Sequence, residues 1–413
     1  MAETLETGDA TSRCEATEEV GPYVAAIQAA PGDGLVLRGG KALLRFFEDR
    51  LKLVSLAEFL ALKPVPHDLN WAYTLGSVSL FLLANQLVTG VLLAIYYRPA
   101  ISEAYESVRY LEHEVPFGWL LRQLHAWGAN LMILALCLHM ARVFWYGSFK
   151  RPRELNWLVG VGLLLTTITF GFTGYLLPWD QLSYWASKVG TEIPGSVPLI
   201  GPAIMRLMRG GEEISAATLG RFFALHTLVL PAIILGLVGI HLAMMRFHGI
   251  SSMPGRENSR KVPFFPHHVM KDAISVYVTL ALLYALVVLL PWRLHEKADP
   301  LVTPEGVKPE WYFLWTYQFI KYFPQTIGPI SGKVVGILLS GGVFGLLALV
   351  PVLDWGPERR PARRKLVMAC AGTVVLGVLA LTALGYICER DLAIFGTTYH
   401  FDILGFPQAV NKP

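Results

Sequence analysis

Charge is scarce in this chain. Only 16% of its 413 residues are Asp, Glu, Lys or Arg, while 54% are apolar. Soluble domains carry about a quarter charged residues, so the composition excludes an ordinary soluble protein and points to a lipid membrane. The net charge of +4 is small and gives no ground for a nucleic-acid partner. Cysteine is scarce too. Cys14, Cys137, Cys370 and Cys388 show neither CxxC nor CxxCH spacing, which argues against a cysteine-held metal, a c-type heme and a disulfide framework. Cys137 sits inside an apolar run and reads as a small buried hydrophobe. The polar, acidic N-terminus lacks the basic-then-apolar pattern of a cleaved signal peptide.

What is present is seven long apolar runs, near 73–97, 122–146, 157–177, 222–246, 273–292, 333–353 and 366–388. Each is close to the ~20 residues that cross the hydrocarbon layer. Backbone polar groups must be satisfied internally there, so the runs predict helices. The fold class is therefore all-α, a polytopic transmembrane bundle. Residues 1–36 have no apolar period and read as a disordered cytoplasmic tail. Within 37–66, KALLRFFEDRLKLVSLAEFLAL sets Leu, Phe and Val at helical spacing against Lys, Arg and Glu. It predicts an amphipathic helix in the interface, with a soluble packing helix as the alternative. Residues 67–250 hold four runs and 251–390 three, divided by a hinge-like stretch around 250–270; 391–413 read as a tail. Basic residues cluster before the first run and after the second, fourth and sixth, among them Lys41, Arg45, Lys150, Arg151, Arg256, Arg260, Arg359 and Arg363. The excess of basic residues on one side places the N-terminus in the cytoplasm and the C-terminus outside.

Ligating side chains inside a span are costly and are functional candidates by default. His125 and His139 lie 14 apart on the second run, and His226 and His241 lie 15 apart on the fourth. At 100° per residue these intervals return to within ~40° and ~60°, with rises of ~21 and ~22 Å. One span lies between, so the two helices run in the same direction. His125 then pairs with His226 and His139 with His241. Two planar macrocycles, each held by two neutral imidazoles, fit this layout. Such ligation leaves iron no open position and suits electron transfer. Zinc wants its ligands gathered at one depth, which this spacing forbids. Gly76 and Gly90 on the first run and Gly160 and Gly174 on the third repeat the 14-residue interval. Glycine lets a rigid ring approach a helix backbone; close helix packing is the plainer use of small residues. Arg122 and Arg142, one turn outside His125 and His139, could snorkel or pair with heme propionates.

These residues resemble the cytochrome b of the quinol:cytochrome c and quinol:plastocyanin oxidoreductases, over about 40–390. The motifs are LHAWGANLMILALCLHMAR (124–142), GYLLPWDQLSYW (174–185), LHTLVLPAIILGLVGIHLAMMR (225–246) and KPEWYFLWTYQFIKYFP (308–324). PWDQ, the 15-residue interval and the span count look like the b6f branch, with cytochrome b fused to its three-helix subunit. PFFPHHVMKD (263–272) looks like the mitochondrial branch.

The resemblance implies two heme b groups and two quinone sites. The outer site would use Pro309, Glu310, Trp311 and Tyr312, with Glu310 taking a proton from quinol and Tyr175 and Tyr317 in the same pocket. Asp180 of PWDQ is the next carboxylate. The inner site would use Lys271 and Asp272, with Arg246 and His248 nearby; Arg246 stands where the mitochondrial branch has a histidine. The third, covalent heme of the b6f branch needs a cysteine where this chain has Thr74, so none is expected. Implied partners are a Rieske iron–sulfur protein and a c-type cytochrome or other acceptor, in a homodimeric complex of a bacterial cytoplasmic membrane. The rivals are a diheme anchor subunit of another quinone-linked enzyme, and a transporter that happens to carry membrane histidines. The 309–312 loop and the three extra spans argue against the first. The second predicts a colourless protein.

Overall fold

A computed structural model of the chain describes residues 21–28, 30–304, 306–394 and 397–410. Seven helices are long and apolar enough to cross a membrane: Trp71–Tyr96, Gly118–Trp145, Glu154–Tyr175, Ala216–His248, His267–Leu289, Gly332–Leu353 and Lys365–Ile387. They are the seven expected runs; each helix starts before its apolar run, and most stop one to three residues short of its end. They are called the first to seventh spans below.

The chain divides into two compact units. The first comprises residues up to 67 together with 261–270. In it, helices Leu35–Leu51 and Leu53–Ala61 meet at Lys52, whose φ of 52° is left-handed. Glu48 bridges the break: its carboxylate accepts from the backbone N–H groups of Val54 (2.7 Å) and Ser55 (3.0 Å), two donors that a helix start leaves unpaired. Leu43, Leu44, Phe46, Phe47 and Leu51 stay exposed beside Arg45 and Arg50. Strand Pro64–Pro66 pairs antiparallel with Lys261–Pro263. The expected tail differs from its reading. Residues 1–20 lie outside the described residues, but Pro22–Ala26 is helical and the next helix already starts at Leu35.

The second unit comprises residues 68–260 and 271 onward. Its first four spans share one core, formed by Val78, Leu82, Leu83, Met132, Ala135, Leu163 and Ile234. The third span meets the sixth, where Trp157 Nε1 donates to Leu347 O (2.8 Å). Helix Trp311–Lys321 packs against the sixth and seventh spans. Loops 97–117, 176–215 and 290–331 follow odd-numbered spans, so all three lie at the same ends of the helices, called here the loop-rich end. There the 176–185 segment is stitched to the loop before Trp311: Gln181 N donates to Glu296 O (2.7 Å) and Ala298 N to Trp179 O (3.1 Å).

Two expectations fail in this unit. Strands Arg390–Ile394, Thr397–Phe401 and Pro407–Ala409 form a three-stranded antiparallel sheet where a tail was expected. Cys137 is exposed, not buried. Its span is apolar on every side, so one face remains on the chain's surface whatever the composition.

Candidate functional site

The two histidine pairs meet. His125 and His226 have ring centroids 6.2 Å apart, and His139 and His241 6.5 Å apart. Two imidazole nitrogens, each about 2 Å from a shared metal, put the ring centroids roughly 6 Å apart, so each separation suits one metal between two rings. His226 sits in a π-helical turn, Leu225–Val229, just before Pro231. Such turns add a residue to the helix, which reconciles the 15-residue interval on this span with 14 on its partner. Among the described residues, no three His, Cys, Asp or Glu side chains gather into a metal-binding group.

Each of the four glycines faces one of the four rings. A Cβ at Gly90 would lie 3.3 Å from His125 Cε1, and one at Gly174 only 2.5 Å from His226 Cε1. At the other level, Gly76 faces His139 Cε1 at 3.2 Å and Gly160 faces His241 Cε1 at 3.6 Å. A side chain at these positions would fill the space beside the rings. Thr89 and Thr173 also belong here. Their hydroxyls reach Nδ1 of His125 (2.9 Å) and of His226 (3.2 Å), which leaves Nε2 of each ring available to a metal. Both threonines directly precede a ring-facing glycine, a repeated Thr-Gly pair that the sequence displays.

The arginines behave differently from each other. Arg122 is engaged by Glu112 and donates to Trp292 O (3.1 Å). Arg142 lies over the Tyr73 ring at 4.4 Å and has no carboxylate partner among the described residues.

At the loop-rich end a cavity of about 460 Å³ is lined by Tyr175, Pro309, Glu310, Tyr312 and Tyr317 together with apolar side chains such as Phe172 and Phe344. This is the size of a small-molecule site, mostly apolar with a few polar groups. Glu310 occupies the N-cap position of helix Trp311–Lys321 but does not cap it. Its carboxyl is hydrogen-bonded to Tyr175, and burial pushes it up to about 7. Burial and the neighbouring Glu310 also push the Tyr312 phenol upward. Gly171 makes room for the Tyr312 hydroxyl, which stands 2.5 Å from where its Cβ would be. Two expected residues lie elsewhere. Trp311 is not part of the cavity lining, and its indole N–H donates to Asn130 Oδ1 (2.8 Å). Asp180 caps the helix Gln181–Gly195 through Ser183 N (2.8 Å) and accepts from His295 N (3.2 Å). It is a structural carboxylate of the PWDQ turn.

The remaining candidates lie at the opposite ends of the spans. Lys271 donates to Leu69 O (2.7 Å), and Asp272 is hydrogen-bonded to Ser77. Arg246 and His248 occupy the last turn of the fourth span. Thr74 is buried, with its hydroxyl on Trp71 O and Ser275 Oγ, 2.8 Å each.

Comparison with known proteins returns one family in two parts. Residues 60–249 match the family described as Cytochrome b/b6/petB, and 297–401 the one described as Cytochrome b(C-terminal)/b6/petD. The chain is 38% identical over 360 residues to a cytochrome bc complex cytochrome b subunit of Chlorobaculum thiosulfatiphilum, covering 85% of this chain and 82% of that one. It is 36% identical over 402 residues to cytochrome b of Rhodobacter capsulatus, covering 89% and 92%. Cytochrome b6 of Synechocystis is 46% identical over 209 residues, which is 51% of this chain and 94% of that protein. A solved structure titled hyperthermophilic respiratory Complex III superposes with a TM-score of 0.77 at 35% identity, covering 84% of this chain and 92% of its own.

Proposed function

This chain belongs to the cytochrome b/b6 family, and from that premise we propose that it is the two-heme, quinol-oxidising subunit of a bc-type electron-transfer complex. The observation that carries the reading is the pair of facing imidazoles at each of two levels, with a glycine opposite every ring. His125 and His226 hold one heme b near the loop-rich end; His139 and His241 hold the other. When bound, the hemes give an electron a route across the apolar layer. The side chains of the chain do the rest. Glycines 76, 90, 160 and 174 admit the rings, and Thr89 and Thr173 fix the imidazoles of the first level. Arg142, with no carboxylate partner among the described residues, would pair with a propionate.

Quinol enters the cavity at the loop-rich end, which is the outer side. Its head group meets Glu310 and Tyr175, while Phe172 and Phe344 keep the pocket apolar. Removing electrons from quinol releases protons, and a base must stand within hydrogen-bond reach of the hydroxyl. Glu310, its carboxyl poised near neutral pH, takes that proton. At the opposite face Lys271 and Asp272, with Arg246, serve quinone reduction. A Rieske protein accepts one electron and passes it to a c-type cytochrome or similar acceptor, in a homodimeric complex of a bacterial cytoplasmic membrane. Threonine cannot form a thioether, so Thr74 carries no covalent heme.

Heme content and redox titration of single histidine variants test the reading. Replacing His125 or His226 should remove the same heme, and His139 or His241 the other, with all heme extractable by acid-acetone. A colourless wild-type protein, or loss of one and the same heme from His125 and His241 variants, would sink it.

A further inference from the structure

The loop that presents Glu310 is held by a side chain that never reaches the cavity. Val307, Pro309 and Glu310 line it, whereas Lys308 does not. Lys308 turns outward to the end of the seventh span, Lys365–Ile387. A helix leaves its last carbonyls without partners and concentrates partial negative charge there. The Lys308 ammonium donates to two of them, Tyr386 O (3.2 Å) and Cys388 O (2.5 Å). A second tie closes the circuit. The Tyr317 hydroxyl donates to Val307 O (3.2 Å), Lys321 lies 4.2 Å over the Tyr317 ring, and Lys321 pairs with Glu389, the residue after Cys388.

We propose that Lys308 is the positioning residue of the quinol site: by clamping the segment 307–310 to the end of the seventh span, it sets Glu310 against Tyr175. The inference rests on the proposed role of Glu310. One residue separates the anchor from the carboxylate, and it is Pro309, whose ring fixes its φ. Anchoring Lys308 therefore leaves few torsions by which Glu310 can wander. The other end of the segment is equally determined, since Phe313 N donates to Glu310 O (2.8 Å) as the next helix begins. The carbonyl acceptors require a cation, not one particular shape, so Arg can substitute for Lys while Met, of similar bulk, cannot.

The test compares Lys308→Met, Lys308→Arg and Glu310→Gln in the assembled complex, after heme spectra have established folding. Amide hydrogen exchange over 306–313 reports the clamp, and quinol oxidation against pH, with kcat and KM separated, reports the carboxylate. Lys308→Met should speed exchange in that loop and lower kcat on the order of tenfold or more, as misplaced catalytic groups do. It should also displace the pH limb that Glu310→Gln abolishes, and Lys308→Arg should restore all three. Unchanged exchange in Lys308→Met overturns the clamp. Faster exchange with a wild-type kcat, KM and pH profile overturns the positioning role. A silent Glu310→Gln is a different failure: it removes the proposed role of Glu310, and the positioning role with it, whatever exchange shows about the clamp.

Discussion

Glu310 is a helix N-cap residue that does not cap. Its side chain turns to Tyr175 inside an apolar cavity, and burial lifts the carboxyl from its ordinary 4.5 to about 7. The sign of the consequence follows. Below that pH the group is protonated and cannot accept a proton; above it the carboxylate is available. Quinol oxidation should rise with pH through about 7, and Glu310→Gln should flatten that limb and slow the rate ~100-fold. A variant with the wild-type rate and pH dependence would make Glu310 a loop residue. Asp180 would not be its replacement, because both its oxygens are committed to backbone donors. The glycines give a graded prediction. Alanine at Gly174 meets His226 at 2.5 Å, closer than any real contact, whereas at Gly160 it meets His241 at 3.6 Å, ordinary contact. Gly174→Ala should lose or distort the heme of the His125 level, with Gly160→Ala the mildest of the four by absorption spectrum. Equal losses would mean that the rings are not what the glycines accommodate. The interval of these glycines is visible in the sequence; Gly171 is not, because it answers to Tyr312, a residue distant in the chain.

Among the elements, the spans were legible because a run of apolar residues in lipid has one solution, a helix. The short elements were not. The sheet at 390–409 depends on pairing such as Arg390 with Phe401 and Tyr399 with Ala409, which no local period announces. The break at Lys52 was hidden as well, because 41–62 keeps its amphipathic pattern straight through it. What makes the break is a single carboxylate that pairs with donors beyond it. Glu48→Ala should therefore release the N–H groups of Val54 and Ser55 and fray the start of the second helix. Limited proteolysis should then cut near 51–55 in the variant and spare the parent. Equal cutting in both would show that packing, not the cap, holds the junction.

At the scale of the molecule, one chain contains what relatives carry as separable parts: 51% of it aligns with 94% of Synechocystis cytochrome b6, and its two family matches cover 60–249 and 297–401. Several ties hold the two parts together. Within the first unit, Pro64–Pro66 pairs with Lys261–Pro263. Within the second, Arg359 donates to Ser251 Oγ (2.5 Å) and Lys150 Nζ to Asp354 Oδ1 (2.9 Å). Arg364 pairs with the other oxygen of Asp354 and donates to Phe144 O (3.0 Å). The side chains of Lys150, Asp354 and Arg364 are 7%, 7% and 3% exposed, so this group is dry. Two cations share one carboxylate there, and removing the carboxylate leaves both buried without a counter-charge, a loss of about 3–5 kcal/mol in comparable pairs. A chain cut between Pro254 and Gly255 and expressed as two pieces should thus assemble, with the second piece co-purifying on a tag carried by the first and both hemes present. Asp354→Asn in the cut protein should separate the pieces. In the uncut chain the same change leaves the pieces tethered and should appear as a lower melting temperature. Pieces that part while Asp354 is intact would show that the covalent link, not the interface, holds the molecule together. Pieces that stay together in Asp354→Asn would place the association in the apolar packing of the third span against the sixth.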